Sequence, residues 1–389
     1  MDRVNNKGFM GPLLLLTSIF FLNFISRVIL APLMPTIEKD LGIGHGEAGS
    51  FFLLISVGYF ITLLGSGVIS SRITHRRTII LSSIVLGLTL IGISCFKTLW
   101  GMRFGLLLLG MSAGIYLPSG IATITSLVSP RHWGKALAVH ELAPNLGFVG
   151  APLATEILMV WFSWPAILGL FGCASVAVGL SYGRFGKGGE FKGESLNPGA
   201  FKAILSQRDF WIMMCLFSMG IGASLGIFTM LPLYLIAERG IDKNWANTLI
   251  GLSRLSGLVM AFLAGWVTDR IGPKPTMASV FFLTGIVTVL LGVIPDSWIV
   301  FIVFMQPMLA VGFFPAGFAA ISRIGPPNTR NVAVSLTLPF AFILGGGVIP
   351  MGIGFMGDMG SFDLGIVCAG ALIFMGFILS LFLRLPHQP

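Results

Sequence analysis

The sequence predicts an all-α polytopic membrane protein of twelve transmembrane helices, arranged as two six-helix halves. Three observations lead there. Only 10% of the 389 residues are charged and 55% are hydrophobic, with a mean hydropathy of +0.93, whereas a soluble domain carries about 25% charged residues. Apolar runs of about 20 residues, the length that crosses ~30 Å of hydrocarbon, recur from end to end. The second half of the chain also repeats sequence patterns of the first.

The first span, 11–36, is too long for a secretory signal, contains Arg27 and lacks a small-residue cleavage site, so it is expected to be retained. The second and third, 47–69 and 78–96, flank a basic loop. The fourth is 102–128, and the fifth, 135–160, holds His140 and Glu141 deep and Glu156 near its end. The sixth, 164–183, completes the first half. "GRFGKGGEFKGESLNPG" (183–199) is the one long hydrophilic stretch and reads as a flexible linker. It divides the chain into a first half over 1–183, a linker over 184–208 and a second half over 209–389. The remaining spans are 210–237, 245–267 with Arg254 inside it, 276–295, 298–322, 331–357 and 364–384. Alternating ten-residue strands are absent, which excludes a barrel.

The net charge of +9 would suggest nucleic acid in a soluble protein, but its distribution points elsewhere. Seventeen of the 24 Lys and Arg fall on the face of the linker, five on the opposite face (Lys39, Lys97, Arg103, Arg239 and Lys243), and Arg27 and Arg254 within spans. The positive-inside rule then makes both termini and the linker cytoplasmic, in a plasma (inner) membrane, with no nucleic-acid partner. Cys95, Cys173, Cys215 and Cys368 all fall inside spans and read as small core residues. There is no P-loop, no His/Cys metal spacing and no Ser–His–acid set. No enzyme, cofactor or metal is therefore expected, and the driving energy must come from an ion or substrate gradient.

The repeat is specific. "GVISSRITHRR" (67–77) aligns with "GWVTDRIGPKP" (265–275) at an offset of 198, and "AGIYLPSG" (113–120) with "VGFFPAG" (311–317) after one deletion. An even number of spans separates equivalent points, so the repeat is parallel, a signature of the major facilitator architecture. The motifs resemble that superfamily. Its loop motif G-x-x-x-D-R-x-G-R/K-R/K is matched by Gly265, Asp269, Arg270, Gly272 and Lys274, while the first copy has Ser71 and Thr74 at the Asp and Gly positions. "LNFISRVILAPLMPTIEKDLGI" (22–43) is similar to the first-helix signature of its organic anion transporters, with Ser26 where an Asp usually precedes the Arg. An Arg in the first span and another in the eighth resembles the monocarboxylate and oxalate-type branches. "GFVGAP" and "GGGVIP" resemble the antiporter glycine–proline motif. The resemblance implies that spans 1, 4, 7 and 10 line a central path, that 2, 5, 8 and 11 flank it, and that 3, 6, 9 and 12 face lipid. Consistent with this, 79–95, 165–181, 276–294 and 364–383 carry no charge.

Ionisable groups inside a membrane are functional candidates because lipid cannot solvate them. Arg27 shares a helical face with Asn23, and Arg254 lies mid-span. Guanidinium forks bind carboxylates bidentately. Arg27 and Arg254 are thus expected to bind substrate, with Asn23, Tyr59, Tyr116, Asn145 and Gln306 as polar lining. The competing reading is that each arginine pairs with a buried acid or caps carbonyls. Glu141, with His140 beside it, is expected to carry a coupling proton, the alternative being a fixed ion pair. Arg72, Arg131, Asp269 and Arg270 are expected to latch the cytoplasmic ends. The sequence therefore reads as a monomeric secondary transporter of a small organic anion, a mono- or dicarboxylate, moved by alternating access. Protons or a counter-transported anion, and membrane lipids, are its other partners. Efflux of a lipophilic or drug-like compound, suggested by 33 Phe and 18 Met, is the alternative.

Overall fold

The computed structural model describes residues 10–96, 98–193, 198–324 and 330–385. Arg3, Lys7 and Lys97 of the charge census lie outside the described residues, as do 194–197 of the linker and the side chain of Arg330. Twelve helices among the described residues are long and apolar enough to cross a membrane. They are α1 (Met10–Leu41), α2 (His45–Ile73), α3 (His75–Cys95), α4 (Leu99–Leu127), α5 (Pro130–Met159) and α6 (Trp164–Phe185). The second half supplies α7 (Arg208–Glu238), α8 (Lys243–Ile271), α9 (Pro273–Val293), α10 (Asp296–Ile321), α11 (Ala333–Asp358) and α12 (Phe362–Leu381).

Seven of these helices are interrupted in mid-span. α1 breaks at Ile29, α4 at Ile115, α5 at Glu141, α8 at Arg254 and α10 at 311–312. Four of the breaks precede a proline by three residues: Pro32, Pro118, Pro144 and Pro315. Proline has no N–H to bond the carbonyl four residues back, and its ring collides with that carbonyl, so the helix parts there. α7 and α11 instead widen into π turns at Gly222–Gly226 and Leu344–Val348. In them Ile227 N–H reaches Gly222 O and Ile349 N–H reaches Leu344 O, five residues back. α2, α3, α6, α9 and α12 run unbroken, a set that includes all four helices expected to face lipid.

Residue contacts divide the chain into two units: Met1–Ile29 with Val57–Ala151 and Ile157–Ser195, and Leu30–Ser56 with Pro152–Glu156 and Leu196–Pro389. Inside the first, α3 crosses α6 through Gly87 and Gly172. A Cβ on either would stand 2.5–2.7 Å from the other's carbonyl oxygen. Inside the second, α9 crosses α12 through Gly285 and Gly370, each 198 positions further along, where a Cβ would lie 2.6–2.7 Å from Val289 N or Phe374 Cα. The repeat read from loop motifs is therefore also a repeat of helix packing, since only a residue without a side chain allows backbones this close.

Within the second unit, the end of α11 holds the start of α2. Asp358 accepts hydrogen bonds from His45 N–H (2.6 Å) and Gly46 N–H (2.9 Å), capping the two exposed amides of the helix N-terminus. Within the first unit, the stretch 186–193 of the linker is docked. Phe191 O accepts from His75 N–H (3.1 Å), Gly189 O from Arg76 N–H (2.7 Å), and Gly193 N–H donates to Ser70 O (3.1 Å). The Arg76 guanidinium binds Glu190 at 2.6 Å and thereby holds the Glu190 carboxyl below the usual carboxylate range.

This strap covers a strained junction. Thr74, between α2 and α3, has φ 79°, and it stands 198 positions before Gly272, which has φ 91° at the equivalent turn. A β-branched residue is strained there, whereas glycine is not. Replacing Thr74 with Gly should release part of about 1–3 kcal/mol of strain, offset by the greater chain entropy of glycine. The expected result is a melting temperature raised by about 2 °C in purified protein. A fall would show that the Thr74 hydroxyl, which faces Arg77 N–H at 3.5 Å, matters more than the backbone strain.

Candidate functional site

Arg27, Tyr116, His140, Glu141 and Arg254 lie at or within two residues of helix breaks. Arg27 lies two residues before the Ile29 break and is 7% exposed. Its Nε donates to Asn23 O at 3.3 Å, and its guanidinium carbon sits 4.6 Å from the Tyr59 ring centre and 5.3 Å from that of Phe24. Asn23 in turn donates from Nδ2 to Ala113 O at 3.1 Å, tying α1 to α4 next to the Ile115 break. Stacking on aromatic faces leaves the edge of a guanidinium, where its N–H groups point, for a hydrogen-bond acceptor.

Arg254 is built in the same way in the second unit. It forms the break in α8, its guanidinium carbon lies 4.8 Å from the Phe228 ring centre, and Nη2 donates to Ser224 O at 2.9 Å. Gln306 Nε2 donates to the neighbouring Ala223 O at 2.8 Å. Both carbonyls belong to the π turn of α7, where the regular ladder leaves acceptors that another donor must satisfy. The aromatic platforms Phe24, Tyr59 and Phe228 are the part of this arrangement that sequence reasoning missed, apart from Tyr59. Phe24 is visible only as the residue after Asn23, and Phe228 carries no spacing signal relative to Arg254.

The break in α5 separates two adjacent side chains. Glu141 is 54% exposed at the side chain, and Asn145 Nδ2 folds back to its carbonyl at 2.9 Å. His140 is fully buried, stacked flat on Phe20 with ring centres 4.3 Å apart. Its Nε2 lies 3.0 Å from the Tyr116 hydroxyl, which itself lies 2.8 Å from Leu16 O. Leu16 O can only accept, so the Tyr116 proton goes to it, and His140 Nε2 carries the hydrogen that fills the remaining contact. His140 Nδ1 has no hydrogen-bond partner among the described residues and lies 3.6 Å from Glu141 Oε1.

A profile of the Major Facilitator Superfamily matches residues 16–263. The chain belongs to the major facilitator superfamily. It is similar to a probable 4-methylmuconolactone transporter of Cupriavidus pinatubonensis, 23% identical over 85% of this chain and 82% of that protein. It is also similar to a probable sulfoacetate transporter of Cupriavidus necator, 23% identical over 94% of this chain and 91% of that protein. Among solved structures it shares its fold with a bacterial homolog of the human lysosomal transporter Spinster in an inward-facing, unoccupied conformation. That match has a TM-score of 0.84 at 14% identity, covering 98% of this chain and 100% of the other. The protein is an integral membrane transporter and not an enzyme.

Several of the residues expected to line the path are buried and hydrogen-bonded to neighbouring backbone. Tyr116 and Gln306, expected as polar lining, are 0% and 2% exposed and spend their polar atoms on helix-to-helix bonds. Asn145 serves the Glu141 carbonyl, Asn23 the Ala113 carbonyl, and Tyr59 is buried against Arg27. The expected latch residues Arg72, Arg131, Asp269 and Arg270 are all exposed at or near helix ends, with Arg270 lying 4.4 Å from the Trp266 ring centre. If Tyr116 is a wall residue, Tyr116→Phe should cost about 1–3 kcal/mol, because it strands the buried His140 donor. The melting temperature of this facilitator should fall while the KM of its transported substrate stays within about twofold of wild type, since about 1.4 kcal/mol is needed for a tenfold change. A normal melting temperature with a raised KM would place the hydroxyl on the substrate instead.

Proposed function

We propose that this facilitator is a secondary transporter of a small organic anion, a mono- or dicarboxylate. It works by alternating access of the halves 1–183 and 209–389 on either side of the linker 184–208. The observation that carries this reading is the common construction of Arg27 and Arg254. Each sits at a mid-span break, on an aromatic ring, with a main-chain carbonyl as a hydrogen-bond acceptor. A carboxylate is a stronger acceptor than a neutral carbonyl for a guanidinium, so an entering anion can recruit these N–H groups. The relatives named for sulfoacetate and 4-methylmuconolactone support the same cargo class. The excess of Lys and Arg on the linker side supports a cytoplasmic linker and termini in the plasma (inner) membrane. Arg72, Arg131, Asp269 and Arg270 would then latch the cytoplasmic ends.

Coupling is assigned to the pair His140–Glu141. His140 Nδ1 and Glu141 Oε1 lie 3.6 Å apart, close enough for a transported proton to be shared between them. Proton-driven uptake is favoured by this arrangement, and anion exchange is the second mode.

Two measurements test these roles. Arg27→Lys and Arg254→Lys keep the charge and lose the planar fork. Each should raise KM for a transported carboxylate about tenfold or more while the protein still folds, and truncation to Ala should cost about 2–5 kcal/mol of binding. Lysine variants with wild-type KM would remove both arginines from the site. Glu141→Gln should abolish uptake driven by a pH gradient but preserve exchange of substrate between the two sides. Full gradient-driven uptake by that variant would move the coupling proton elsewhere.

A further inference from the structure

We propose that two glycines of the repeat, Gly147 of α5 and Gly345 of α11, are positioning residues that set the supports of Arg27 and Arg254. They open "GFVGAP" and "GGGVIP", the sequences that resemble the antiporter glycine–proline motif, and they stand 198 positions apart. Both are buried. Inside the first unit, Gly147 faces Phe24 of α1, where a Cβ would stand 2.6 Å from Cδ1 and 3.4 Å from Cε1 of the ring. Phe148 meets the same ring in a T-shaped contact, with 4.9 Å between centres. The ring held in this way is one of the two on which the Arg27 guanidinium rests.

Inside the second unit the equivalent positions meet again. Phe24 and Gly222 are also 198 positions apart, and Gly222 lies against Gly345. A Cβ on Gly345 would stand 2.5 Å from Gly222 N and would collide with Ser218 O, while one on Gly226 would collide with Gly345 O. Neither helix can carry a side chain here without moving the other. The contact thus seats the π turn Gly222–Gly226 of α7 on the π turn Leu344–Val348 of α11. Ser224 O, inside the α7 turn, accepts from Arg254 Nη2 at 2.9 Å. In each unit, then, a glycine bears on the segment that supports the arginine. A guanidinium grips a carboxylate through a rigid planar fork, and a binding group must hold its geometry to within about 0.5 Å. A methyl group at either glycine would shift the support by more than that.

The proposal rests on the reading that both arginines bind a small organic anion. The test titrates succinate, benzoate and sulfoacetate into detergent-purified full-length protein and records the melting temperature without ligand. Gly147→Ala, which pushes the Phe24 ring, should weaken binding of the tightest-bound probe about threefold or more. Gly345→Ala, which displaces the α7 turn, should weaken it about tenfold. The losses should not add: Gly147→Ala should have no further effect in Phe24→Leu protein, nor Gly345→Ala in Arg254→Lys protein. A merely structural glycine would lower the melting temperature and leave affinity unchanged. That result, or additive losses, overturns the proposal. Where an alanine variant does not fold, Phe148→Leu and Ile349→Val loosen the same two contacts, Ile349 being packed on Gly222. They should also weaken binding, and wild-type affinity in them overturns the proposal equally. Wild type that binds none of the probes, or Arg27→Lys and Arg254→Lys proteins of wild-type affinity, would remove the anion reading and this proposal with it. Weakened lysine variants beside glycine variants of normal affinity would remove this proposal alone.

Discussion

Hydrocarbon offers no hydrogen bonds, so every backbone amide and carbonyl inside the bilayer must find a partner within the protein. Seven of the twelve helices break their own ladder in mid-span. The polar residues of the interior then take up what the breaks release. Asn23 serves the Ala113 carbonyl beside the α4 break, and Asn145 serves Glu141 at the α5 break. Arg254 and Gln306 serve the π turn of α7. A broken helix therefore needs buried donors, and the polar residues of the interior supply them at the same positions.

The same contacts explain why the two arginines are tolerated. A guanidinium at the centre of a bilayer costs at least ~2.5–3.5 kcal/mol on the lenient insertion scale. For Arg27, Tyr59 and Phe24 provide π faces and Asn23 a carbonyl. For Arg254, Phe228 and Ser224 provide the same. The guanidinium carbons lie 4.6 and 4.8 Å from their nearer rings, within the range where cation–π attraction is worth about 2 kcal/mol or more once desolvated. Each half of the repeat reached this solution on a different helix, α1 in one and α8 in the other.

The unbroken helices hold the rest in place. The Gly87–Gly172 and Gly285–Gly370 crossings bring backbones into direct contact at equivalent points of the repeat. Where the repeat is imperfect, the chain compensates locally. Thr74 occupies a turn that Gly272 makes without strain, and the 186–193 strap supplies carbonyls to the amides that open there. The first stretch of the linker is thus part of the first unit's structure rather than a free tether.

Much of this was legible in the sequence. Apolar run length fixed the twelve spans, because hydrocarbon thickness sets helix length regardless of packing. The loop motifs and their 198-residue offset established the parallel repeat, and the isolated charges Arg27, Glu141 and Arg254 marked positions that now prove to be at or beside helix breaks. Even the breaks have a sequence signal, the prolines at 32, 118, 144 and 315, because proline cannot complete the ladder whatever surrounds it. Which polar residues face which partner was not legible. Tyr116 and Gln306 read as lining, and their polar atoms meet carbonyls of neighbouring helices. Glu156 read only as a group near the end of its span, and it lies 2.6 Å from the buried Asn247 amide nitrogen. Helical periodicity gives the direction of a side chain on its own helix, but its partner is decided by the rotation and depth of the neighbouring helix. Those are set by contacts dozens to hundreds of residues away, and only the tertiary structure holds them.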